Sequence, residues 1–223
     1  ITCVSCHLVD GVMHGPHGST ALVSPHPIQE ERSAFASPAL CAPCHGETHE
    51  QWRKATAHQP APTCQECHQA SVQRTVTQGT NLFSNLLVAF EKKATTRSHD
   101  INLERMARFP GGITLTVSTK PPGAGLFEVT VRNNLPHDLP TGTYGSKEIR
   151  LVPVAGREAR RLSERSCVIG TDEHPLAPGE EKTVRISLAG VDLEDAPLRL
   201  DLERQGESFP DRNPITLASQ PID

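Results

Sequence analysis

Aromatic side chains are scarce in this sequence. They make up 4% of its 223 residues, with one Trp and one Tyr, and hydrophobic residues of all kinds reach only 36%. A chain of this length normally buries a sizeable core, and this one has little of the usual material for it. Long hydrophobic runs are missing as well: no stretch approaches the roughly 18–20 apolar residues of a membrane-spanning helix. Excess positive charge is also absent. The net charge of −4 leaves no basic patch for a nucleic acid or an anionic membrane surface. The chain opens Ile1-Thr2-Cys3 without an initiator Met, and we read it as processed or trimmed upstream.

What the sequence has in an ordered form is cysteine. Six of the seven fall in CVSCH (3–7), CAPCH (41–45) and CQECH (64–68). Two thiols with two residues between them can reach both vinyl groups of one porphyrin, and a His beside the second can swing onto the iron. Three such motifs lead us to expect three c-type haems, attached through Cys3/Cys6, Cys41/Cys44 and Cys64/Cys67, with His7, His45 and His68 as proximal ligands. Zinc is the main rival, because the nineteen residues between Cys44 and Cys64 suit a four-thiolate ribbon. That reading gives no role to the three His and leaves Cys3/Cys6 without a partner pair. Disulfides within C-x-x-C pairs are strained and redox-active, and so are weaker still. Three macrocycles would also supply the apolar mass that the composition lacks.

The two halves of the chain differ in texture. Residues 1–110 hold every motif and nine of the eleven His. Two segments there have helical spacing: Glu47–Thr56, and Asn81–Lys93 with an apolar stripe of Leu82, Phe83, Leu86, Leu87 and Phe90 for packing, here against a haem edge. From Gly111 onward the pattern alternates. Strands are expected at 113–118, 126–132, 148–154, 182–188 and 198–203, with Gly, Pro and Asn between them. The expected fold class is therefore α+β: a loop-rich, mostly helical trihaem domain over 1–110, followed by an antiparallel immunoglobulin-like β-sandwich over 111–223.

The second axial ligand decides what each iron can do. A strong sixth ligand gives a low-spin site for electron transfer, whereas an open position can activate a small molecule. Eight His remain after the proximal three. His49 lies one turn after His45 and points along its own haem, toward solvent. His174 is a surface-loop residue, and His14 and His17 sit in a Gly-Pro loop beside the first motif. His26, His58, His99 and His137 each lie in a loop that can fold back over a neighbouring haem, giving four candidates for three positions. The plain alternative for any one of them is a hydrogen bond near a haem propionate.

The residues around these motifs resemble multihaem c-type cytochromes related to the cytochrome c nitrite reductase and hydroxylamine oxidoreductase superfamily. The run Ser37-Pro-Ala-Leu-Cys-Ala-Pro-Cys-His45, then Glu50-Gln-Trp52, then Thr63-Cys-Gln-Glu-Cys-His68 is similar to that family's haem motif, acidic-x-Trp helix and following haem motif. The resemblance implies distal ligands at His58 and at His99 in Arg97-Ser-His99-Asp-Ile. It implies the same for His137, in Asn134-Leu-Pro-His137-Asp-Leu-Pro-Thr-Gly142, which is similar to an H-x-x-P-T-G element of a β-sandwich; Pro136 stands where that element usually has Gly. Gly15-Pro16 through His26-Pro27 is a weaker match to a ligand-donating segment. Unlike the catalytic members, this chain has only three haem motifs and no Lys-ended one, and its single Tyr, Tyr144, is far from the motifs in sequence.

The expected function is electron transfer through closely packed, mainly bis-His haems, because loops of 34 and 19 residues between the motifs cannot space them widely. Such a protein serves as a carrier, a redox-complex subunit or a filament protomer, with other redox proteins or copies of itself as partners. It belongs in the periplasm or outside the cell. The alternative is a small reductase with one open iron acting on a nitrogen or sulfur oxyanion. Cys167, the seventh cysteine, reads as a buried inert thiol.

Overall fold

The computed structural model describes residues 2–18, 28–58, 60–76, 81–99, 111–120, 125–142, 145–156, 158–191, 197–206 and 214–222. The chain divides into two compact units: Ile1–His49 with Ala61–Ile101, and Glu50–Pro60 with Asn102–Asp223. The segment 50–60 thus clusters with the second half of the chain.

In the first unit, α1 (Val4–His7) is a single turn leading straight into a hairpin of β1 (Leu8–Val9) and β2 (Val12–Gly15). Asp10 and Gly11 occupy its turn with φ of 49° and 78°, the two positive values that a tight hairpin needs and that Asp-Gly tolerates. β3 (Ile28–Glu30) adds in parallel to β2. Next come α2 (Arg32–Ala36), a 3-10 turn at Pro38–Leu40, α3 (Gly46–Ala55) and α4 (Cys64–His68). β4 (Ser71–Arg74) and β5 (Ala94–Arg97) form a second antiparallel pair on either side of α5 (Leu82–Val88).

This overturns the expectation of a mostly helical first half. Strand accounts for 42% of the structure and helix for 20%. The physical reason is local. The first and third motifs use one helical turn each, and the chain leaves those turns extended at Leu8 (φ −106°, ψ 114°) and Gln69 (φ −127°, ψ 105°). Four side chains of the apolar stripe are also not packed on protein: Leu82, Phe83, Leu86 and Phe90 are 88, 72, 60 and 82% exposed.

The second unit is built from two antiparallel sheets. One has the order β11 (Glu181–Ser187), β7 (Leu126–Asn133), β6 (Ile113–Lys120). The other runs β10 (Cys167–Thr171), β8 (Lys147–Ala155), β12 (Leu198–Gly206), β13 (Ile215–Ile222), with the short β9 (Arg160–Arg161) on the end of β8. The inward positions of the two sheets form the core. Val129, Val131, Ile149, Leu151, Ile169, Ile186, Leu200 and Leu202 are each at most 1% exposed. Every buried hydrophobic side chain among the described residues lies in this unit, from Val129 onward.

Candidate haem-attachment centres

Each motif is built as a helical turn. In the first, His7 N donates to Cys3 O (3.0 Å) and Cys6 N to the same oxygen (3.3 Å). The second repeats it: His45 N and Cys44 N reach Cys41 O at 2.9 and 3.3 Å. The third forms α4, started by a capping box in which Thr63 N donates to Glu66 Oε2 (2.7 Å) and Glu66 N to Thr63 Oγ1 (3.3 Å). Residues i, i+3 and i+4 of a helical turn share one face. Both thiols and the imidazole of each motif therefore project together, the arrangement that a macrocycle held at two edges and one axial position requires.

The three turns meet around Phe35–Ser37. Gln65, inside the third motif, is only 4% exposed, and its Nε2 donates to the carbonyls of Phe35 (3.2 Å) and Ser37 (2.8 Å). Those two residues lead into the second motif. Interaction with the Cys64 thiol, and then burial, raises the pKa of Cys41, and the same interaction lowers that of Cys64. Burial raises that of Cys67. The His7 ring of the first motif stacks on Phe35, with centroids 4.8 Å apart and planes at 22°. His7 Nδ1 lies 2.7 Å from the carbonyl of His14. Donation there fixes the tautomer that carries its lone pair on Nε2, the usual orienting device for a metal-bound imidazole.

The expected distal ligands fare differently. The His99 ring stands 6.0 Å from that of His7, centroid to centroid, at 58°. Its pKa is lowered by burial first, then by Arg74 and His7, which favours the neutral ring that a metal needs. Arg74 Nη2 approaches His99 Nδ1 at 3.4 Å; this long contact would have to yield if Nδ1 were to donate elsewhere. His137, in the second unit, is half-buried between β7 and β8 with Nδ1 3.0 Å from Asp138 O, the same tautomer-fixing geometry as His7. Burial is the main cause of its lowered pKa. His58 is exposed after α3. His26 lies outside the described residues. Among the remaining His, His14 Nδ1 pairs with Glu31 (3.3 Å) and His17 Nε2 lies 3.0 Å from Thr95 O. His174 is exposed and His49 half-buried rather than solvent-facing. Cys167 is half-buried, its thiol pKa raised by burial.

The first unit fits a covalently held porphyrin on its own chemistry. Its described residues contain no buried hydrophobic side chain, yet Val4, Leu8, Val9 and Val12 around the first motif, and Leu82, Phe83, Leu86 and Phe90, are large, apolar and exposed. Exposed apolar surface on this scale marks something that covers it, and six thiols and three imidazoles stand among these residues. Among the described residues no three His, Cys, Asp or Glu side chains converge as a metal site. Gln65, Phe35 and, in the second unit, Gln51 and Asn133 were not singled out in the sequence. Their roles depend on contacts 28 to 90 residues away or on burial, which no local pattern carries.

No family model matches this chain, and no curated protein does. Among solved structures it is similar to a penta-heme cytochrome c552 from Thermochromatium tepidum. The identity is 14% over 99% of this chain and 76% of that one, with a TM-score of 0.54. At that identity the likeness is one of fold.

Proposed function

We propose that this chain is a trihaem c-type cytochrome that passes electrons through closely packed, mainly bis-His haems. The observation that carries the reading is the exposed apolar surface of Val4, Leu8, Val9, Val12, Leu82, Phe83, Leu86 and Phe90, with no buried hydrophobic side chain among the first unit's described residues, beside three like attachment turns that meet at Phe35–Ser37. The fold shared with a penta-heme cytochrome supports it. Bound haem supplies one-electron chemistry at iron. The chain's part is to anchor it through Cys3/Cys6, Cys41/Cys44 and Cys64/Cys67, ligate it through His7, His45 and His68, and exclude water with the exposed apolar side chains.

His7 and His99 would hold one iron between them; the 6.0 Å between their ring centroids leaves room for a metal and supports the pairing. His137 is a second distal ligand, and His26 and His58 remain candidates for the third. Residues 1–110 form the haem-bearing part and 111–223 the β-sandwich part. The partners are other redox proteins or copies of the chain, in the periplasm or outside the cell.

Electron paramagnetic resonance of the purified protein during a carbon monoxide titration tests this. Three low-spin, carbon-monoxide-inert irons are expected. A native high-spin iron that binds the gas would overturn the carrier reading in favour of a reductase acting on a nitrogen or sulfur oxyanion.

A further inference from the structure

The segment that carries His137 is held by two amide side chains from different elements. Asn133, at the end of β7, is fully buried. Its Nδ2 donates to the carbonyls of His137 (2.9 Å) and Leu176 (2.8 Å), and its Oδ1 accepts from Leu135 N (3.0 Å). Gln51, on the part of α3 that clusters with the β unit, makes three further bonds to the same loop. Its Nε2 donates to Asp138 Oδ2 (2.8 Å), and its Oε1 accepts from Asp138 N (3.1 Å) and Thr141 Oγ1 (3.0 Å).

These bonds act on one peptide plane. The carbonyl of His137 and the amide of Asp138 are the two ends of a single planar unit. Asn133 fixes the first and Gln51 the second, so the peptide plane on the C-terminal side of the His137 Cα is held at both ends. The ring is then oriented by its Nδ1 contact to Asp138 O, one peptide further on. Gln51 therefore holds the backbone N–H and the side-chain carboxylate of the residue whose carbonyl the imidazole is aligned against. Ordering a long, flexible side chain carries an entropic cost, and on a helix it is offset here by three bonds converging on one loop.

We propose that Gln51 is a positioning residue for an axial haem ligand: it fixes the 138–141 segment so that the His137 imidazole is presented in the orientation iron requires. This rests on the ligand role of His137 proposed above.

The test uses the haem-loaded full chain and four variants. His137→Ala removes the imidazole. Gln51→Glu replaces the Nε2 donor with a carboxylate oxygen facing the Asp138 carboxylate, so two like charges meet where a bond was. Asp138→Asn in the Gln51→Glu background restores a donor and acceptor pair with the bond reversed. Thr141→Val removes only one of the three bonds. The readouts are the low-spin paramagnetic resonance signals, their recovery with added imidazole, and the melting point of the β unit.

His137→Ala is expected to turn one iron high-spin, with recovery on addition of imidazole. Gln51→Glu is expected to shift or partly convert the same signal, the double variant to restore it, and Thr141→Val to give a smaller change in the same direction. Unchanged spectra in His137→Ala would refute the ligand role itself. A changed spectrum in His137→Ala with Gln51→Glu and Thr141→Val both like the parent would overturn the positioning role alone. So would a Gln51→Glu change that the double variant fails to reverse. Should Gln51→Glu not accumulate, the double variant and Thr141→Val decide the matter by the same signal.

Discussion

If the three motifs carry haem as proposed, removing it should unfold one unit of this protein and spare the other. The perturbation is replacement of Cys3, Cys6, Cys41, Cys44, Cys64 and Cys67 by Ala, so that nothing can be attached. Leu82, Phe83, Leu86 and Phe90 are 60–88% exposed; covering them is worth about 6 kcal/mol, taking roughly 2 kcal/mol for each fully buried side chain. That is comparable with the whole net stability of a typical domain, about 5–15 kcal/mol, and the first unit has no buried hydrophobic side chain among its described residues to replace it. The β unit keeps its own core of Val129, Val131, Ile149, Leu151, Leu200 and Leu202. Hydrogen exchange followed by peptide mapping reads both at once. Peptides from 2–18, 28–45 and 64–99 should exchange at close to unfolded rates, while those from 126–133, 147–155 and 198–206 stay protected. Native-like protection of the motif peptides in the haem-free chain would refute the argument that the macrocycles are the core.

Three further outcomes follow from the same structure. A Cβ added at Gly170 would lie 2.7 Å from the carbonyl oxygen of Leu139 and 3.3 Å from Leu176 N; because both are backbone, Gly170→Ala should cost about 1–3 kcal/mol, seen as a lower melting point of the β unit, and an unchanged melting point would contradict the close approach. Arg74→Ala removes the donor that faces His99 Nδ1 at 3.4 Å; if His99 ligates iron, the low-spin signal of the first haem should persist, and its loss would point to a role for that contact which ligation does not predict. Burial raises the pKa of Glu203 above 4.5 although Arg161 and Gln205 pull it down. The folded state therefore holds the proton more tightly than the unfolded one, so this group's contribution falls as pH rises from 4.5 through the folded value. Urea midpoints measured between pH 4 and 8 should show that loss, and Glu203→Gln should flatten it; an equal slope in both proteins would refute the assignment.

The three C-x-x-C-H motifs stand out in the sequence because their information is local: two thiols and an imidazole within five residues. The strands at 113–120, 126–133, 147–155, 181–187 and 198–206 were legible for a similar reason, since one buried face imposes a period of two. β13 was not, because Ile215-Thr-Leu-Ala-Ser-Gln-Pro-Ile has a polar centre and a proline near its end. The helical content of the first half was overestimated. Asp10-Gly11 and the paired strands β4 and β5 take up chain that had been read as helix or loop, and α5 stops at Val88, short of Lys93. The pairing of imidazoles was the least legible. Arg97-Ser-His99-Asp-Ile marks His99 by resemblance, but the nearness of His99 to His7 joins residues far apart in sequence, and nothing in that segment names the ring it approaches.

That no described hydrophobic side chain of the first unit is buried also bears on the order in which this protein would be made. Thioether formation needs each pair of thiols reachable by a haem and by whatever machinery delivers it. In the finished arrangement Gln65 ties the third motif to Phe35 and Ser37, and Cys41 lies against Cys64. A unit with its own core would reach that closed state early and hide the thiols. If haem is attached as proposed, the described part of the first unit has little to fold around until the macrocycles arrive, and its cysteines would stay open for as long as they are needed. On that reading maturation would precede folding of this unit.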